Sequence, residues 1–249
     1  MTTSIQNLKK ISLILLIMAT PTSLMASPAP TKYISSIHRL AVDHTYLQEH
    51  KAPTYWRISP YYQAQRNETS CSLASATMIV NAARSMDPKF ANQNLATQDT
   101  LLKLVNLKAW SKEVAPDGNG VTLDELSHYV PAALEKFGVT NFSIKKIHVY
   151  DNSEKSLKRF QDELIKLEAG KAFILANYNL AYFTNEPGGH ISPIAAYDAA
   201  NQKVLIMDVY RYKFEPYWVP VKLLLKSMGS LDNTSSTFRG YIVITFIKK

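Results

Sequence analysis

The chain has 249 residues, 46% hydrophobic and 19% charged, which supplies one large core or two lobes sharing a cleft and excludes disorder or collagen-like repetition. Lys and Arg outnumber Asp and Glu by 28 to 20, giving +8, yet no basic cluster interleaves with aromatics, which argues against a nucleic-acid partner. A single cysteine, Cys71, excludes an intrachain disulfide and a Cys-rich metal site.

Lys9 and Lys10 precede an apolar run over residues 11–19, then Pro21 and small residues around Ala26 and Ser27. This is the layout of a secretory signal cut after Ala26, with an uncleaved anchor left open by Leu24 three positions before the cut. The run is too short to span a bilayer, so residues 27–249 are expected as an exported domain, periplasmic or secreted, without stable membrane insertion. Residues 27–60, rich in Pro, Tyr and His, predict an irregular arm. Residues 71–84 are almost all small or apolar and follow the polar run Asn67, Glu68, Thr69, Ser70, which predicts a capped, buried helix with Cys71 in its first turn.

Leu101, Leu102, Val105 and Ala109 keep helical spacing, residues 116–120 form a Pro/Gly break, and Thr122 with Glu125 is a capping box opening another helix. Ser153 is placed to cap a helix with Leu157, Phe160, Leu164 and Leu167 on one face, ended by Gly170. Strand-like runs occupy residues 144–150, 173–178, 191–197, 204–209 and 241–247. Helices first and strands later predict an α+β protein, with an arm and helical lobe over 27–140, a mainly antiparallel sheet lobe over 141–249, and a cleft between them.

A thiol of ordinary pKa is mostly protonated at neutral pH, and a helix N-terminus with an imidazolium partner favours the thiolate. Among the six histidines, His190 stands out because Gly188 and Gly189 precede it, leaving room for close approach, and an apolar run follows it. Asp208 ends the apolar run 204–207, where a carboxylate needs a reason; from a neighbouring strand it would orient the His190 ring. Each residue also has a plain structural reading, as a buried small hydrophobe, a turn and a strand-end cap. Their order of Cys, His and acid, helix before sheet, is the one a papain-like arrangement requires. His38, His44 and His50, six apart, fit neither one helix face nor one strand face as metal ligands.

Gln65 six residues before Cys71-Ser72-Leu73-Ala74-Ser75-Ala76, then the segment 188–197, then Asp208-Val209-Tyr210-Arg211-Tyr212-Lys213-Phe214-Glu215-Pro216-Tyr217-Trp218-Val219, resemble the phytochelatin synthase family, a papain-like group of glutathione-processing enzymes. The likeness covers about residues 55–247, and the block 208–219 is its most specific part. It implies a papain-like fold, Cys71, His190 and Asp208 as catalytic triad, and Gln65 as oxyanion-hole donor beside the Cys71 N–H. It also implies glutathione as substrate, cut at its Cys–Gly bond through a thioester on Cys71. Water as acceptor would give γ-glutamylcysteine, and a second glutathione would give phytochelatin. Arg211 and Lys213 match basic family positions suited to substrate carboxylates, and Asp232 with Arg239 matches an acid/Arg pair near the cleft; a solvated edge and a structural salt bridge are the plain alternatives.

Two positions depart from the family pattern. Ser72 stands where Gly is frequent after the nucleophile, and Leu180 stands where a basic residue is frequent ten before the histidine. Losing that cation weakens binding of a second glutathione, so hydrolysis is expected to dominate over polymerisation. With no thiol besides Cys71, no cofactor or protein metal site is expected, and cadmium or zinc would act only through substrate thiolates. A homodimer is left open. Two other readings also stay open: a papain-like peptidase acting on a peptide or protein, and a non-catalytic ligand-binding protein on a protease scaffold.

Overall fold

The computed structural model describes residues 32–246, so the signal-like segment and the expected cut after Ala26 lie outside the described residues. In chain order the elements are β1 (His38–Arg39), α1 (Thr45–Glu49), α2 (Pro53–Ile58), α3 (Cys71–Arg84), α4 (Gln98–Val105), α5 (Lys108–Glu113) and α6 (Leu123–Lys136). Then follow β2 (Phe142–His148), α7 (Glu154–Glu168), β3 (Ala172–Asn179), β4 (Gly189–Asp198), β5 (Lys203–Ile206), β6 (Tyr217–Pro220), α8 (Val221–Met228) and β7 (Gly240–Phe246).

Helix α3 has no polar face, and all 14 of its residues are buried. It packs on one face of a seven-stranded antiparallel sheet of order β1-β6-β5-β4-β3-β7-β2. Alternation along the strands sorts the core into two layers. Phe173, Leu175, Ile242 and Ile244 join α3, α4 and α6, whereas Ile174, Ala176, Tyr241 and Val243 join α7 and α8 on the opposite face. The fold is therefore α+β as expected, with a helical layer against one face of the sheet and two later helices covering the other.

The caps behave as read: in the capping box of α6, Thr122 Oγ1 accepts from Glu125 N while Glu125 Oε2 accepts from Thr122 N. Ser153 Oγ likewise accepts from Ser156 N, and Gly170 beyond α7 has φ +69, a left-handed conformation suited to glycine. Two expectations are corrected. The single helical spacing through Ala109 is divided, because Asn106 takes φ +54 after α4 and Ala109 belongs to α5. The irregular arm contains order: β1 pairs with β6, and α2 starts with Pro53, whose fixed φ suits a first turn.

Candidate active site

The loop before α3 does not supply the expected side-chain cap. Ser70 occupies the N-cap position, but its Oγ turns back, accepting from the backbone N–H groups of Arg66 (2.9 Å) and Asn67 (3.0 Å) and donating to Asn67 O (3.0 Å). Asn67 Nδ2 donates to Val114 O at 3.1 Å and Thr69 Oγ1 to Ala115 O at 2.6 Å, fixing the loop to the helical layer. The N-terminus of α3 thus keeps its positive end free of a capping oxygen at the position of Cys71, where negative charge is favoured. Four residues on, Ser75 Oγ donates to Ile191 O at 2.9 Å, tying the helix of Cys71 to the strand of His190.

His190 and Asp208 lie 18 residues apart in sequence and meet across β4 and the end of β5: His190 Nε2 stands 2.8 Å from Asp208 Oδ1. With Nε2 so engaged, Nδ1 is the nitrogen left for Cys71, which lines the same cleft as His190. Burial opposes the imidazolium, but the Asp208 carboxylate and then the Cys71 sulfur outweigh it, and the His190 pKa is pushed up from 6.5 to about 10. Asp208 is itself fully buried. Burial works against its charge, while His190, the Tyr210 N–H and Tyr217 hold its carboxyl below the usual range. Its Oδ2 accepts from Tyr217 Oη (2.8 Å) and Tyr178 Oη (3.2 Å), and its Oδ1 also accepts from Tyr210 N (2.8 Å).

Cys71 and His190 open onto a cleft that is also lined by Glu68, Asn119, Gly120, Asn177, Asp232 and Arg239. Arg239 is buried; its Nη1 hydrogen-bonds Leu231 O, its Nη2 lies 3.5 Å from Asp232 Oδ1, and its Nε has no partner among the described residues. Burial lowers the Arg239 pKa, and Asp232 offsets only part of that. The Gly-Gly pair has a definite use here. Gly188 has φ +114, and a Cβ on Gly189 would lie 2.7 Å from Arg239 Nη2, so the missing side chain is the seat of the guanidinium rather than open space for a ligand.

The other residues that the sequence nominates for the site sit elsewhere or differently. Gln65 is buried with Nε2 donating to Asn67 O at 2.8 Å and its backbone N–H to Val209 O, and it is not among the described residues lining the cleft. One amide N–H remains beyond that bond. Arg211 stacks on the Tyr62 ring at 4.4 Å, and Lys213 pairs with Glu186 at 2.8 Å; neither lines the cleft. Ser72, in the family's glycine position, accepts from the buried Trp110 Nε1 at 3.2 Å, and Leu180 is buried in the layer under α7 and α8. His38 faces Asp43 and His50 stacks on Tyr46; among the described residues no group of three His, Cys, Asp or Glu is placed to hold a metal.

Sequence reading passed over Glu68, Asn119 and Asn177. Asn177 carried a legible signal, an amide directly after the apolar run 172–176, and it is buried. Asn119 lay in a Pro/Gly stretch read only as a break.

A thiol at the start of a buried helix, facing an imidazole and a carboxylate from an antiparallel sheet, defines the papain-like cysteine class. The family model described as phytochelatin synthase matches residues 33–241, and the chain belongs to the phytochelatin synthase family. It is 25% identical over 224 residues to glutathione gamma-glutamylcysteinyltransferase 1 of Arabidopsis thaliana, covering 89% of this chain and 43% of that protein. It is 27% identical over 198 residues to transferase 3 of Lotus japonicus, covering 78% of this chain and 38% of the relative. Identity to the Schizosaccharomyces pombe glutathione gamma-glutamylcysteinyltransferase is 25% over 199 residues, 80% of this chain and 45% of the other. The chain thus spans less than half the length of each of these relatives.

Proposed function

We propose that this protein cleaves the Cys–Gly peptide bond of glutathione through a thioester on Cys71. The observation that carries the reading is the Cys71, His190 and Asp208 constellation opening onto the same cleft as the buried Asp232 and Arg239 pair. A γ-glutamyl end presents an α-carboxylate and an α-ammonium side by side. Arg239 would take the first and Asp232 the second, each inside a shell that excludes water.

Cys71 Sγ attacks the carbonyl carbon, the C–S bond forms, and the carbonyl π electrons move to oxygen, where the Cys71 N–H and the free Gln65 N–H would receive the charge. Collapse expels the glycine nitrogen, which takes the proton held by His190. Water then attacks the thioester carbonyl, gives its proton to the neutral imidazole, and γ-glutamylcysteine leaves as Cys71 regains its electron pair. Hydrolysis is the dominant outcome in this reading, because Leu180 offers no cation for a second glutathione. A heavy-metal ion, cadmium or zinc, would enter bound to substrate thiolates, and the protein would work after export.

Purified protein given glutathione should release glycine and γ-glutamylcysteine in equal amounts, with longer chains a minor product. Cys71→Ala should abolish release. A rate unchanged in that variant, or turnover of α-linked peptides with none of glutathione, would overturn the reading.

A further inference from the structure

The sheet order divides the cleft. Strand β4, with His190 at its start, has β5 on one side and β3, then β7, on the other. Asn177 lies in β3 and Arg239 immediately precedes β7, so they and Asp232 occupy one flank of His190. Asp208 and Tyr210 follow β5 on the other flank, and Tyr210 Oη donates to Glu68 Oε1 at 2.9 Å. Glu68 and Arg239 therefore face the same cleft from opposite sides of the imidazole.

Among the described residues lining this cleft, the ionisable side chains are Glu68, Cys71, His190, Asp232 and Arg239. Arg239 and Asp232 stand together, and Cys71 and His190 share the cleft, while the Glu68 carboxylate accepts from Tyr210 Oη, whose ring also carries Lys213 Nζ at 5.1 Å from its centroid. Cations near that flank are engaged outside the cleft: Lys213 with Glu186, Arg66 with Asp99, and Arg211 on the Tyr62 ring.

We propose that Glu68 selects the acyl acceptor: the thioester on Cys71 is taken by water or by an amine carrying a remote second positive charge, and amines carrying a carboxylate are turned away. This rests on the glutathione reading above, which seats the γ-glutamyl end at Arg239 and so directs the leaving and accepting groups toward Glu68. In the transfer step the neutral amine nitrogen attacks the thioester carbonyl, its proton passes to His190, the C–S bond breaks, and an amide and free Cys71 result. The distal ammonium pairs with Glu68 while the near amine reacts. The same carboxylate disfavours a second glutathione as acceptor, because its amine sits beside a carboxylate.

The protein is given glutathione with γ-aminobutyrate, butylamine or putrescine, which differ chiefly in the charge at the far end, and the amide formed per glycine released is read by mass spectrometry. The expected order is putrescine, butylamine, γ-aminobutyrate, each step about threefold to tenfold. Glu68→Gln should flatten the series and raise the share of phytochelatin from glutathione alone. In the unaltered protein, high salt should compress the same order, a readout independent of how the variant folds. A flat or reversed series alongside normal glycine release overturns the role of Glu68 alone. Absence of glycine release from the unaltered protein removes the glutathione reading and this inference with it.

Discussion

Tyr217 donates its phenolic hydrogen to Asp208 Oδ2 at 2.8 Å, in a pocket where both side chains are wholly buried. Tyr178 reaches the same oxygen from 3.2 Å, and the two hydroxyls stand 3.1 Å apart. Burial and then the Asp208 charge push both phenols well above their ordinary pKa, so they stay protonated donors. They allow a carboxylate to remain ionised inside the core while its other oxygen aims at His190.

Tyr217→Phe should therefore cost about 1.5–3 kcal/mol of stability, the usual worth of a buried hydrogen bond to a charged group. It should also lower kcat for glycine release more than it changes KM, because the phenol positions the triad and does not touch substrate. Tyr178→Phe should do less, given the longer bond, and the double variant should be non-additive since both serve one oxygen. Denaturant titration and steady-state kinetics on the three variants check this; additive losses would remove the shared role.

The raised His190 pKa makes stability depend on pH. Because the folded value of about 10 exceeds the ordinary 6.5, the stabilisation is fully present below 6.5 and is lost as pH rises through about 10. Asp208 works in the opposite sense, its contribution present above the ordinary carboxylate range and lost as pH falls through its depressed folded value. Chemical denaturation across that alkaline window should show a declining slope that His190→Gln abolishes.

Ser75→Ala should leave the Ile191 carbonyl without its helix partner and cost about 1–2 kcal/mol. The bond also sets α3 against β4, so glycine release should fall although Ser75 lies one turn away from the sulfur. Thermal melts paired with single-turnover rates measure both. A stability loss with an unchanged acylation rate would confine Ser75 to structure.

Gly189→Ala places a Cβ where the Arg239 guanidinium now lies. The expected result is a KM for glutathione raised about tenfold or more, with kcat changed less, the pattern of a lost binding contact. Arg239→Gln should give the same split. Isothermal titration of glutathione into a Cys71→Ala background of each variant isolates the binding loss from chemistry.

How far the sequence could be read depends on what kind of signal each residue carried. Helix α3, the Thr122 and Ser153 caps, and five of the strands were legible because they rest on local patterns: apolar runs, caps and period-two alternation. Strand β6 was not, because Tyr217 and Val219 fill one core layer while Trp218 fills the other, so no alternation marks it. Ser70 misled for a related reason. Its type fits a cap, but the preceding loop offers its hydroxyl three backbone partners first.

By itself the sequence determined the α+β class, the family, and a thiol, an imidazole and a carboxylate in an order that suits acyl transfer, since residue type and spacing along the chain carry that information. Only the tertiary structure decided which side chains share the cleft: that Arg239 rests on Gly189, that Glu68 faces it across His190, and that Arg211 and Lys213 turn elsewhere. Those contacts join residues far apart in the chain through strand order and sheet pairing, and no local pattern records them.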